Sequence, residues 1–169
     1  PIVAVKSGRH AVPPALAGGG PEMDDSIVRA LFEQAGVVQV GSISQLFDSA
    51  RLFSYQPLPQ GPRVAVVGNS TALGVLAADA ARSEGLQVSR STDLGARATP
   101  DEFAAAVSNV LAASDVDSVI AVYLPPVPVP VEPFAHALRE VVHGATKPVV
   151  TTFLAAEGIP EVLAVRDSN

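Results

Sequence analysis

The feature that most constrains this chain lies from Arg63 onward, where short apolar, β-branched runs alternate with stretches of helical composition. Residues 63–67, 86–89, 118–124 and 149–153 read as strands. Between them, residues 72–83 form a helix ending at Gly85, and Thr99-Pro100-Asp101-Glu102 opens a second with cap, N1 proline and N3 glutamate in place. Its apolar side carries Phe103, Val107, Val110 and Leu111. A third helix begins at Glu132 or Pro133, runs to His143 and stops at Gly144. Strands separated by whole helices cannot close as hairpins, so the order β-α-β-α-β-α-β predicts a doubly wound open parallel sheet with helices on both faces, an α/β fold in three layers. Ligands of such sheets sit outside the carboxyl ends of the strands.

Ahead of this unit, residues 1–6 read as a strand, and the Ala-, Pro- and Gly-rich stretch that follows has no period. Asp24 or Asp25 can cap a helix with Ile27, Val28, Leu31, Phe32 and Ala35 on its apolar face, and Gly36 ends it. Residues 37–40 form a short strand, and Ser42 with Gln45 makes a capping box for a second helix. Three prolines and a glycine in residues 56–62 make that stretch a linker. The expected organisation is a strand plus flexible connector over 1–23, wandering from His10 to about Met23, then one core over 24–169. A start at Pro1 in a strand-like run, without an initiator Met, suggests a piece of a longer chain.

With 48% hydrophobic and 17% charged residues, the chain is globular rather than disordered. It has no cysteine, which removes disulfides and thiolate metal sites, and no apolar run approaches the roughly 20 residues that cross a bilayer. The expectation is a protein of the cytosol that does not engage membranes. A net charge of −6, with no clustered Lys/Arg stripe and no Trp, argues against a nucleic-acid surface.

The best local candidate for chemistry is Gly68-Asn69-Ser70-Thr71-Ala72-Leu73-Gly74, a turn from a strand into a helix. Free backbone N–H groups and the helix dipole favour an anion such as phosphate there, although Asn, Ser and Thr at such a turn serve equally well as caps. Asp93-Leu94 and Tyr123-Leu124-Pro125-Pro126 should reach the same sheet edge, so Asn69, Asp93, Tyr123 and Pro125 could line one crevice, against the alternative of solvated turn and stiff loop. Of the histidines, His136 and His143 share a helix face with no third metal ligand in register, and His10 is either a mobile nucleophile or a loop residue. No metal site is expected.

Several segments match one family pattern in order. They are residues 1–9 (Pro-Ile-Val-Ala-Val-Lys-Ser-Gly-Arg), 30–37, Gln56-Pro57-Leu58-Pro59, 63–78, and Asp93-Leu94-Gly95 with Thr99-Pro100-Asp101-Glu102-Phe103. In these the chain resembles NDP-forming acyl-CoA synthetases, and through them the succinyl-CoA synthetase superfamily. The resemblance implies a flavodoxin-like domain and enzymes that use CoA and ATP/ADP and relay phosphate through a histidine. CoA-binding and nucleotide-grasp domains would lie elsewhere in the parent chain, and no cofactor is expected in this piece itself. The resemblance also aims the Asn69-Ser70-Thr71 turn at the phosphorylated histidine. The family's connector carries Ser-His-Thr-Gly, whereas Ala11 to Gly20 has no histidine and His10 comes too early; the family's Gly-Gly-Pro-Gly turn is Ser70-Thr71-Ala72-Leu73-Gly74 here, and Ser91-Thr92 stands for Asn-Pro. Such degenerate regions resemble those fused to protein lysine acetyltransferases, with a regulatory or CoA-sensing role. A working synthetase using His10 and a structural docking domain, either as a homo-oligomer or not, are the alternatives.

Overall fold

The computed structural model describes residues 1–6, 24–126, 130–154 and 160–163. Its chain divides into two compact units, Pro1–Gln56 and Pro57–Asn169. The strand expected to stand with a connector over 1–23 therefore shares a unit with the elements that follow it, and the break falls at the proline-rich linker.

The first unit is β1 (Ile2–Val5), α1 (Asp25–Gln34), β2 (Val37–Val40) and α2 (Ile43–Tyr55). β1 and β2 pair in parallel from Ile2↔Val37 to Val5↔Val40. Each helix starts where its cap demands. Asp24 accepts the Ser26 N–H at 2.8 Å, and Ser42 Oγ accepts the Gln45 N–H at 3.2 Å. The Gln45 side chain returns the bond to Gly41 N at 2.6 Å rather than to Ser42, one residue outside the usual box. Gly36 takes φ +69° just past α1, the left-handed conformation that a residue without Cβ adopts at no steric cost.

The second unit contains β3 (Arg63–Gly68), α3 (Thr71–Ser83), β4 (Gln87–Asp93), α4 (Pro100–Ala112), β5 (Ser118–Tyr123), α5 (Glu132–Val142), β6 (Val149–Phe153) and a 3-10 turn at Glu161–Leu163. All pairings are parallel, in the order β4-β3-β5-β6. This is the flavodoxin-like doubly wound arrangement, with the chain reversing direction across the sheet between β3 and β5. The expected parallel α/β sheet is thus present. β4 runs four residues beyond the expected strand, because it stays paired with β3 as far as Gly68↔Asp93. Its polar Arg-Ser-Thr-Asp ending hid this, and an edge strand with exposed side chains needs no apolar run.

Period-two alternation sorts the core. Ala65, Val67, Val119, Ala121 and Tyr123 cluster with Phe103, Val107 and Val110 of α4 and with Phe134 and Leu138 of α5. Val64, Val66 and Val122 project to the other face, where α3 packs and buries Ala78 and Ala81. Both faces of the central strands are therefore covered, as a parallel sheet requires. Thr99 and Glu102 complete the predicted capping box of α4, with Glu102 Oε2 accepting Thr99 N–H at 2.8 Å.

Candidate functional site

The carboxyl edge of the four-stranded sheet is built by a repeated device. One residue past each of β4, β5 and β6 stands a leucine whose N–H reaches across to the neighbouring strand's end. Leu94 N donates to Gly68 O at 2.8 Å, Leu124 N to Asn69 Oδ1 at 2.8 Å and Leu154 N to Tyr123 O at 3.0 Å. These bonds turn four strand ends into one continuous rim. At its centre Gly68 must be small, since a Cβ there would lie 3.0 Å from the Val122 carbonyl oxygen.

Asn69 sits next to Gly68 and is 4% exposed. Its Nδ2 donates to Leu124 O at 2.7 Å while its Oδ1 accepts Leu124 N–H, so one side chain replaces a full turn of strand pairing between β3 and β5. Both ends of the amide are spent in this clasp. The Asn69 side chain is therefore a structural bridge across the switch point. Its partner is 55 residues away, and no local pattern announces it.

Ser70 is the N-cap of α3, and its hydroxyl makes no capping bond. The first helical bond runs from Gly74 N to Ser70 O at 2.9 Å, which leaves the amides of Thr71, Ala72 and Leu73 outside the intrahelical ladder. Gly74 has open space where a Cβ would stand. Those amides and the helix dipole favour a negative charge. The chain brings one of its own close by: Thr71 Oγ1 donates to Asp93 Oδ2, and Gly95 N donates to Asp93 Oδ1 at 2.9 Å. The Thr71 hydroxyl first, and the Gly95 amide second, hold the Asp93 carboxyl below its ordinary range. Asp93 thus ends β4 as a fixed carboxylate beside the first turn of α3.

Tyr123 does not line a crevice. It is 1% exposed, stacks on Phe134 with ring centroids 4.1 Å apart, and meets Phe103 edge-on at 5.8 Å. Burial pushes its phenol up, and its hydroxyl has no hydrogen-bond partner among the described residues. Its place was readable, because it lies two and four residues beyond Ala121 and Val119 and so shares their inward face. Pro125 lies half-buried in the loop beyond Leu124. His10 and the connector around it lie outside the described residues. Among the described residues, no group of three or more His, Asp or Glu side chains could hold a metal ion, and no helix is long and apolar enough to cross a membrane.

At the opposite end of the sheet, Asp117 accepts three bonds from Arg63: from its backbone N at 3.0 Å, Nε at 2.8 Å and Nη2 at 2.8 Å. The Arg63 guanidinium first, and its backbone amide second, lower the Asp117 carboxyl to about 2. This pair fastens the starts of β3 and β5, and no spacing in the sequence pointed to it.

No protein-family model matches the chain. It is 38% identical over 91 residues to the alpha subunit of an ADP-forming acetate–CoA ligase (isoform I) of Pyrococcus furiosus, a match covering 52% of this chain and 20% of that protein. The alpha subunit of isoform II from the same organism is 29% identical over 185 aligned positions, covering 92% of this chain and 40% of the relative. This chain therefore spans well under half of either relative. Among solved structures, the apo form of a dinucleotide-forming acetyl-coenzyme A synthetase 1 of Ca. Korarchaeum cryptofilum superposes with a TM-score of 0.83 at 22% identity, over 96% of this chain and 41% of that one.

Proposed function

As a relative of the ADP-forming acyl-CoA synthetases, this chain is an acyl-CoA-synthetase-like segment, and we propose that it is a catalytically degenerate one that senses CoA or acyl-CoA within a larger protein. The observation that carries this reading is the connector. Residues 11–20 hold no histidine to take and pass on a phosphoryl group, and His10 precedes the stretch where the family places it. The α3 turn agrees with it: Thr71 is engaged with Asp93, and Asn69 is committed to Leu124. What remains for a ligand is the set of amides at the start of α3, which can hold an anion without reacting with it. CoA-binding and nucleotide-grasp domains, and an acetyltransferase as the regulated partner, are the components this reading adds in the parent chain.

A working synthetase that relays phosphate through His10 is the second reading, favoured by the same uncapped amides of Thr71, Ala72 and Leu73. Labelling separates the two. Full-length protein given γ-labelled ATP, or labelled acetyl phosphate with CoA, is expected to retain no acid-labile label while binding CoA saturably in calorimetry. Label that appears and is lost in His10→Ala would overturn the degenerate reading. Absence of both label and CoA binding would overturn both readings and leave a docking role.

A further inference from the structure

We draw no further inference here: the strongest candidate, the cleft of about 630 Å³ between the edge strand β4 and helix α4, has its charges already spent within the chain, Arg90 on Asp115 and Glu102 on Thr99, and nothing in the structure shows what occupies it.

Discussion

The two units use the same local vocabulary to different ends. Pro1–Gln56 has capped helices, a glycine stop and a parallel strand pair, yet none of its described residues is buried. Ile27, Leu31, Ile43 and Phe47 remain 49–65% exposed on helices whose amphipathic pattern is clear. In Pro57–Asn169 the same β-α-β grammar buries Phe103, Val107, Tyr123 and Leu138 to 1% exposure or less. The difference is layers. A two-stranded sheet offers too little surface to cover two helix faces, whereas four strands with helices on both sides bury most of the central pair. Caps and turns therefore decide where elements begin, and the number of strands decides whether a core exists.

The largest expected effect tests that contrast directly. Phe103→Ala removes a ring that touches both Tyr123 and Phe134, at centroid distances of 5.8 and 6.1 Å, and should cost about 3–5 kcal/mol. Phe47→Ala, at a ring 64% exposed, should stay within about 0.5 kcal/mol. Urea midpoints measured at constant m-value decide the matter, and a Phe47 cost equal to that of Phe103 would break the comparison.

Next in size is the clasp. Asn69→Ala strands both the N–H and the C=O of Leu124 at the rim, with an expected loss of roughly 2 kcal/mol. Amide exchange at Leu124 should accelerate by more than that of other rim amides. Unchanged exchange there would mean that the rim holds without its central bridge.

These two positions also mark how far the sequence could be read. β3 and β5 were legible as apolar runs, β6 as a short β-branched run, and α1, α2 and α4 as helices with Asp24, Ser42 and Thr99 at their starts. Such signals lie within a few residues of what they determine. β4 was cut short because pairing, not composition, carries it to Asp93. The bridging task of the Asn69 side chain was not legible because its partner, Leu124, lies just past β5, 55 residues on. The candidate site was thus legible as a location, the turn into α3, while the tasks of its side chains depended on which strand became the neighbour.

The Arg63–Asp117 pair sharpens the comparison through pH. The folded-state pKa of Asp117 is depressed to about 2 from an ordinary 3.8, so its contribution is complete above pH 4 and disappears as pH falls from there through 2. Asp117→Asn should melt below the parent at pH 6, and the gap between the two melting temperatures should close as pH falls through 2. A gap that is as wide below pH 2 as at pH 6 would assign the loss to geometry rather than to charge. In the first unit, the Asp24 carboxyl is also lowered, through the Ser26 amide and then its hydroxyl, but it is exposed and caps one helix instead of joining two strands.

The smallest effect is the most revealing about the two units. Ser42→Ala and Thr99→Ala each remove one N-cap, at 3.2 and 3.3 Å from the N3 amide respectively, and each should cost about 1 kcal/mol locally. In α4 that loss is absorbed, because Phe103, Val107 and Val110 hold the helix against the sheet whether or not its first turn is capped. In α2 no residue is buried, so the cap is a large share of what defines the first turn. Residue-resolved helical shifts should therefore show fraying over residues 43–46 in Ser42→Ala and little change over residues 100–103 in Thr99→Ala. Equal fraying in both would mean that packing of α4 does not reach its amino end, and the distinction between an element set by its cap and one set by its core would fail at that point.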